Sequence, residues 1–489
     1  MPTQTVQHPI HGPGIVIAER YSGFELKVRF ADGRERYVRA DQVQVEAISD
    51  TKGAPPPTTI QAARKPPTPS RSIIEMLRMG IVPENRVQDF TFGREAELTQ
   101  LHEWLFASDD GDGARIILGA YGTGKTHMLN YLRSDAMKQG YAVAFVEMDA
   151  QEAPFSRPKR VYAQLVQSLR YRDAATGREV GFRDLVQRAV YAGLTHEHPY
   201  FAYLTKNLAD ENVWNWILAR ENTPRPYDAQ NRYWGVPGLY NHGTAANLYT
   251  NLLSGLGWFC QHPKIGLKGL LLIFDESETL FSYQTRSSTD KSFNFLDALL
   301  AVADNNPTML SRAANTAYTS SAHAGHIPFL YRPTSGLKLA LAFTGITPRL
   351  WNSSIASAVK QIQLRPLDNA ALYSVFKEVC SFYQQAYGFK CDELALEGIF
   401  ERVLKRTAQD VIRMKIKGFV EALDLLRHNP GRPVHEVLGS ASAPAVAVVP
   451  AGLIAMSNGK FCKKLSNGRY CTISLTGAVQ SPPRDTIEE

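Results

Sequence analysis

Residues 115–126 read RIILGAYGTGKT, a short apolar run followed by a glycine-rich segment. The apolar run RIIL predicts a buried strand, and the segment KTHMLNYLR that begins at Lys125 predicts a helix. Between them lies the pattern G-x-x-x-x-G-K-[ST], whose glycines let successive backbone N–H groups turn toward phosphate oxygens at a helix N-terminus. We therefore predict a phosphate-binding loop. Its candidate contact residues are Gly119, Ala120, Tyr121, Gly122, Thr123, Gly124, Lys125 and Thr126.

Such a loop predicts that the chain binds ATP together with Mg²⁺. Lys125 is expected to neutralise the β- and γ-phosphates during catalysis, and the Thr126 hydroxyl is expected to ligate Mg²⁺. A carboxylate is then needed at a neighbouring strand end, and the stretch GLLLIFDESETL supplies it. Asp275 is our second candidate metal ligand, and Glu276 is the candidate catalytic residue that polarises the attacking water. Glu278 either tunes that role or is a surface carboxylate on the following helix.

Four continuously apolar segments predict a sheet covered on both faces, hence an α/β core over residues 71–366. They are Arg115–Leu118, Tyr141–Met148, Leu270–Phe274 and Leu337–Phe343. Thr344 follows the last of them, and we expect it to sense the γ-phosphate or to orient the water. The polar, aromatic stretch 171–242 predicts a helical insertion. Apolar residues three and four apart predict a C-terminal helical lid over 367–430.

The two ends of the chain have a different character. Strand-like alternation between glycine turns over residues 12–45 predicts a small N-terminal β-barrel, bounded at 1–46. A Pro-rich linker follows at 47–70. Residues 431–489 predict a further linker and a three-stranded meander, because SNGKFC recurs there as SNGRYC. Its basic and aromatic residues suit base stacking, or else the meander is a short sheet that docks on the body.

Composition narrows the class of protein. The chain has 489 residues, and Lys and Arg exceed Asp and Glu by 54 to 47, so it is mildly basic. Five scattered cysteines without Cys-x-x-Cys spacing argue against a disulfide framework and a structural zinc site, and favour free thiols in a reducing cytosol. We see no signal peptide or membrane-spanning run, and therefore expect a cytoplasmic protein without a membrane partner.

Several motifs together resemble the ATP-binding protein of BREX-type phage-exclusion systems, with an AAA+/STAND-like P-loop fold. They are SIIEMLRMGIVP at 72–83, FGREAEL at 92–98, the phosphate-binding loop with His127 after it, VYAQLV at 161–166, DESE at 275–278 and FVEALD at 419–424. The resemblance runs from about Ser70 to Arg427. It implies an ATPase that serves bacterial defence against invading DNA, with other proteins of the defence system as partners.

The same resemblance implies further site residues. Arg94 would cap the adenine side of the pocket, and His127 would belong to the nucleotide-binding set. Arg413, on the last long helix, is the candidate lid arginine that contacts the γ-phosphate. Arg349 is the candidate arginine that acts on a neighbouring subunit of a homo-oligomer. For both, an ordinary surface arginine is the alternative.

The N-terminal pattern Gly12-x-Gly14-x-Val16, with Val28-x-Phe30-x-Asp32-Gly33 after it, resembles the SH3/Tudor-like module that ends UvrD/PcrA-type helicases. That family uses the module to dock proteins, so the resemblance implies a protein partner here. The arginines of this region suit contact with nucleic acid instead, or a solvated surface.

Two functions follow as hypotheses. The first is a DNA-associated ATPase that couples ATP hydrolysis to assembly of a defence complex. The second is a STAND-type switch, in which bound nucleotide controls a protein partner without contact to nucleic acid. A scaffold that binds ATP without hydrolysis is disfavoured by the Asp275–Glu276 pair.

Overall fold

The computed structural model describes residues 5–8, 12–20, 25–33, 35–39, 44–45, 69–106, 112–224, 236–240, 245–281, 285–311, 327–345, 359–407, 411–439, 453–455, 461–464 and 470–473. The chain divides into two compact units, Met1–Pro66 and Pro67–Glu489. The predicted linker lies outside the described residues up to position 68. Its last two residues, Pro69 and Ser70, already belong to the first helix.

The first unit contains a five-stranded antiparallel sheet. Its strands are β1 (Thr5–His8), β2 (Gly12–Arg20), β3 (Glu25–Phe30), β4 (Glu35–Arg39) and β5 (Gln44–Val45), in the order β4-β3-β2-β1-β5. Alternating apolar residues of this sheet, among them Leu26 and Val28, form a small core. Gly14 lets β2 approach β3, because a Cβ at Gly14 would lie 2.4 Å from Cγ1 of Val28. Closure of the sheet into a barrel stays a prediction.

The second unit is built on a seven-stranded sheet, which confirms the predicted α/β fold. Its strands are β6 (Ala114–Leu118), β7 (Ala142–Glu147), β8 (Arg170–Arg172), β9 (Glu179–Gly181), β10 (Leu270–Asp275), β11 (Leu337–Phe343) and β12 (Lys360–Gln363). The order is β12-β6-β11-β10-β7-β8-β9, and the first five strands run parallel. The apolar pattern missed β12 because this edge strand, KQIQ, buries only Ile362.

Helices cover both faces of the parallel strands. Within the described part of the second unit, the α-helices are α1 (Pro69–Arg78), α2 (Glu95–Phe106), α3 (Lys125–Lys138), α4 (Pro158–Ser168), α5 (Phe182–Tyr191), α6 (Glu211–Ile217), α7 (Ala245–Gln261), α8 (Arg286–Ala303), α9 (Thr308–Ser311), α10 (Asn369–Tyr387), α11 (Glu393–Arg406), α12 (Ile412–His428) and α13 (Val434–Val437). Successive strand residues point to opposite faces. Ile273 therefore packs with α2 and α3, whereas Leu272 and Phe274 pack with α7 and α8.

Residues 367–430, predicted as a helical lid, contain α10, α11 and α12. Asp368 and Asp392 cap α10 and α11 by accepting hydrogen bonds from the backbone N–H three residues on. The helix α1 shares their apolar cluster, since Ile74 and Leu77 are fully buried with residues of α10 and α12 such as Phe419. The sequence predicts α1 as part of the ATPase core, whereas in the structure α1 packs on the helices of the lid.

The predicted helical insertion begins with the antiparallel β8–β9 hairpin and continues as α5 and α6. Near the C-terminus, β13 (Leu453–Ala455), β14 (Phe461–Lys464) and β15 (Tyr470–Ile473) pair antiparallel where the sequence predicts a meander. Across the described ranges, none of the helices has the length and apolar content needed to cross a membrane.

Candidate nucleotide-binding site

The predicted phosphate-binding loop lies between β6 and α3. Gly122 and Gly124 adopt φ values of +83° and +97°, which residues with a side chain rarely adopt. A Cβ at Gly119 would lie 2.5 Å from Oγ1 of Thr123. The Thr123 N–H donates to the carbonyl of Ala120 at 3.2 Å, which closes the loop on itself. Because α3 begins at Lys125, its first N–H groups have no partner within the helix and face the loop.

Arg94 supports the loop from behind. Arg94 is 6% exposed, and its side chain donates to the carbonyl oxygen of Thr123 at 2.8 Å and to Oε1 of Glu97 at 3.0 Å. The arginine therefore ties the loop to α2 at the same time as it lines the pocket. A buried charge with both partners in place fixes the loop geometry.

His127, the residue after the loop threonine, is held by Thr91. Its Nε2 lies 2.8 Å from Oγ1 of Thr91, and that hydroxyl donates to the carbonyl of Val87 at 2.7 Å. The hydroxyl proton is thereby used, so Nε2 carries a proton and donates to Thr91. Burial, with the nearby charge of Arg94, lowers the pKa of His127 to about 4, so the ring is neutral at physiological pH.

The loop and the acidic strand end meet at Thr126 and Asp275. The Thr126 hydroxyl donates to Oδ2 of Asp275 at 2.6 Å, and Asp275 is almost completely buried. Lys125 donates from Nζ to the carbonyl of Gly119 at 3.0 Å. The contact between Thr126 and Asp275 follows from the strand order, since only β11 lies between β6, which precedes the loop, and β10, which ends at Asp275.

The Thr126 hydroxyl and the Asp275 carboxylate are suitable ligands for Mg²⁺. A hydroxyl and a carboxylate are hard oxygen ligands of the type that Mg²⁺ uses when substrate phosphates and water complete its octahedron. Among the described residues, no group of three or more acidic, histidine or cysteine side chains forms a separate metal cluster. Thr126 and Asp275 therefore suit a metal that arrives with phosphates.

Glu276 follows Asp275 in a strained backbone conformation. Its φ is +51°, which is unusual for a residue with a side chain. Its N–H donates to Oδ1 of Asp275 at 2.9 Å, and its side chain lines the pocket. Burial and the neighbouring carboxylates of Glu278 and Asp275 raise the pKa of Glu276 to about 7.

The lid closes the other side of the pocket. The N–H of Ile412, at the start of α12, donates to the carbonyl of Gly122 at 3.2 Å, so the lid touches the phosphate-binding loop directly. Arg413 lines the pocket, and a Cβ at Gly80 would lie 2.3 Å from its Cγ. The turn that follows α1 therefore packs on the side chain of Arg413.

The pocket is lined by both polar and apolar residues. The polar or loop residues include Arg94, Tyr121, Gly122, Thr123, Gly124, Lys125, Thr126, His127 and Glu276. The apolar residues are Ile81, Val82, Val87, Phe90, Phe92, Met128, Leu367, Val375, Val411, Ile412 and Ile416. A pocket that combines a phosphate-binding loop with apolar side chains suits a ligand that carries both phosphates and a flat, largely apolar ring such as a nucleobase.

The structure thus brings most predicted site residues to one place. Gly119 and Ala120 lie behind the pocket, where their carbonyls accept from Lys125 and Thr123. Thr344 contacts Glu278. Arg349 lies outside the described residues. Thr91 and the apolar lining residues were not predicted from the sequence. The segment GIVP at 80–83, which belongs to the resemblance, was the available signal for two of them, Ile81 and Val82.

A family model described as "BREX system ATP-binding protein BrxC/D" matches residues 66–196 and 212–442, which is well over half of the chain. No curated protein matches the chain.

Solved structures also match at low identity. A DNA replication initiation factor is 13% identical over 69% of this chain and 64% of its own, with a TM-score of 0.31. Drosophila ORC bound to DNA is 13% identical over 72% and 67%, with a TM-score of 0.39. AMPPCP-bound DnaA from Aquifex aeolicus is 14% identical over 70% and 65%, with a TM-score of 0.31. This chain covers less than two thirds of the first and third of these proteins.

Proposed function

We propose that this chain, which belongs to the family of BREX system ATP-binding proteins BrxC/D, hydrolyses ATP in the pocket described above. The observation that carries the proposal is the hydrogen bond between Thr126 and Asp275, with Glu276 beside it on the pocket wall. This contact supports the proposal that Thr126 and Asp275 hold magnesium and that Glu276, the neighbouring carboxylate, accepts a proton.

In the proposed reaction, the phosphate-binding loop and Lys125 hold the phosphates of ATP. Magnesium, when bound by Thr126 and Asp275, would neutralise charge on the phosphates. Glu276 takes a proton from a water whose oxygen bonds to the γ-phosphorus while the bond to the β–γ bridging oxygen breaks. Arg413 supplies positive charge from the lid to the developing negative charge. ADP and phosphate leave.

We further propose that the nucleotide state is passed to partner proteins through the lid. The support is the bond from Ile412 of α12 to Gly122, because a nucleotide that moves the loop must move the start of α12. The defence complex would assemble on DNA in the cytoplasm, with this chain as a homo-oligomer and its N-terminal sheet as a docking site for other proteins of the system.

A STAND-type switch that does not touch DNA is the competing function. The same contact between loop and lid favours it, since a closed lid is what such a switch would use. Stimulation of turnover by DNA distinguishes the two. A DNA-associated ATPase should show turnover that rises with duplex DNA and a DNA affinity that falls steeply with salt.

The test uses the full chain with ATP and Mg²⁺. Wild-type protein should bind ATP by calorimetry and release phosphate. E276Q should retain binding and lose turnover by at least about 100-fold, and K125A should lose binding. E103Q, an exposed glutamate on α2, is the matched control. Turnover in E276Q equal to that of wild type would remove Glu276 from the proposed role.

A further inference from the structure

Asn130 lies in the second turn of α3, where its side chain is partly buried and lines the pocket. It follows Lys125 by five residues, roughly 7 Å further along the helix axis, so it is set back from the phosphate-binding loop. Within the part of the chain that the structure describes, the side-chain amide of Asn130 has no hydrogen-bond partner. A carboxamide carries two donors and an acceptor, all of which are therefore open to a ligand.

The polar side chains on either side of Asn130 already have partners. His127, one turn earlier on α3, is bonded to Thr91 at 2.8 Å, and the Thr91 hydroxyl donates in turn to a backbone carbonyl. Arg133, one turn later, donates to Glu84 at 2.7 Å. Residues three positions apart are neighbours on a helix surface. Between these two pairs, the amide of Asn130 is left to bind a ligand.

The apolar lining beside α3 indicates which part of a nucleotide reaches Asn130. The 3₁₀ helix Glu84–Phe90 runs next to α3, to which the two contacts just described tie it. Its side chains Val87 and Phe90 are buried, and both line the pocket. With the phosphates bound at the N-terminus of α3, a flat ring is the part that packs on these side chains. Polar groups at the edge of that ring then need a partner, because an unpaired polar group in an apolar space is costly.

A carboxamide matches the edge of adenine. Its Oδ1 accepts a hydrogen bond from the 6-amino group, and its Nδ2 donates to the neighbouring ring nitrogen, which is how asparagine reads adenine in nucleic acids. Guanine carries an oxygen at position 6. In the same placement of the ring, that acceptor opposes Oδ1 and leaves it unpaired.

We infer that Asn130 is a specificity-determining residue, which binds the 6-amino group of adenine and the adjacent ring nitrogen and so selects ATP over triphosphates without this amino group. The inference deepens the proposed ATPase function and rests on it for the position of the phosphates. Base and phosphates are then held by the same helix, since α3 carries Asn130 in its second turn and the phosphate site at its N-terminus.

The experiment measures calorimetric affinity, in the presence of Mg²⁺, for ATP, GTP and purine riboside 5′-triphosphate. The last of these is ATP with a hydrogen in place of the 6-amino group. Wild-type protein should bind ATP about tenfold or more tightly than either of the other two. N130L keeps the size of the side chain and removes its polar groups. Its affinity for ATP should fall by about tenfold, while its affinity for purine riboside triphosphate should change by less than about threefold.

The ratio of the affinities for ATP and purine riboside triphosphate isolates the contact. A general distortion of the pocket would weaken both ligands alike, whereas loss of the amide lowers the ratio. N130A is a second variant, in which the ratio should also fall to near one. Q167A removes an exposed amide on α4 and should keep the wild-type ratio. Thermal unfolding without nucleotide should show that all three variants are folded.

Two results would overturn the inference. They are equal affinities of the wild type for ATP and purine riboside triphosphate, and a wild-type ratio in N130L. Neither result would affect the proposed hydrolysis, which is measured separately as release of phosphate from ATP. Wild-type protein that binds none of the three triphosphates would instead refute the proposed function, and this inference with it.

Discussion

Arg78, at the end of α1, binds both carboxylate oxygens of Asp424 on α12, at 2.9 and 3.0 Å, across 346 positions of the chain. Tyr383 of α10 donates to the same aspartate at 2.7 Å, and Arg427 donates to the Tyr383 hydroxyl at 2.9 Å. One half-buried polar network therefore joins three helices. It attaches the segment that precedes the ATPase core to the lid that follows it.

Replacement of Arg78 should loosen this attachment. R78A leaves Asp424 without its bidentate partner, and we expect the full chain to lose about 1 kcal/mol of stability in urea unfolding. R78K should recover only part of it, because a lysine cannot form the two parallel bonds. R86A removes a more exposed pair with Asp89 and should cost less than about 0.5 kcal/mol. Equal losses in R78A and R86A would contradict the prediction.

Replacement of Arg94 should affect the nucleotide directly. R94A leaves the carbonyl of Thr123 and the carboxylate of Glu97 unpaired at nearly buried positions, so the loop loses its support. We expect ATP affinity to fall by about tenfold or more, measured by calorimetry. R183A breaks an exposed ion pair with Glu211 in the insertion and serves as the control. Unchanged affinity in R94A would show that the loop holds its shape alone.

The parts that the sequence predicts well are those that depend on local patterns. The loop from Gly119 to Thr126 and the acidic pair Asp275–Glu276 can each be recognised from a few consecutive residues. They meet because continuous apolar runs specify parallel strands with both faces buried. The α/β fold followed from the same runs.

The parts that the sequence did not predict depend on distant contacts. The edge strand β12 has a single buried residue, and no apolar run marks it. The position of α1 is set by Phe419 and its neighbours, more than 300 residues away. Glu278 looks like a surface carboxylate until Thr344, 66 positions later, is placed against it.

The raised pKa of Glu276 predicts a pH dependence of stability. Its pKa is about 7 in the folded chain and near 4.5 when unfolded, so the folded state binds the proton more tightly. The resulting stabilisation is complete below pH 4.5 and is lost as the pH rises through 7. Because E276Q has no such proton to lose, it should gain stability relative to wild type between pH 5 and 8, by about 1 kcal/mol after allowance for partial exposure.

Thermal unfolding without nucleotide at a series of pH values measures this difference. E103Q, at an exposed position, should run parallel to wild type over the same range. A constant offset between E276Q and wild type from pH 5 to 8 would show that the pKa of Glu276 is not raised.

The contact between loop and lid predicts a difference between two glycine substitutions. Gly122 and Gly140 have φ values of +83° and +91°, so alanine at either position carries a backbone penalty of about 1–2 kcal/mol. A Cβ at Gly122 would also lie 2.9 Å from Cα of Val411, whereas a Cβ at Gly140 meets no atom within 4 Å. G122A should therefore displace the start of α12 and break the bond from Ile412, and weaken ATP binding by about tenfold or more. G140A should show the loss of stability with normal ATP affinity, and equal ATP affinity in the two variants would refute the role given to this contact.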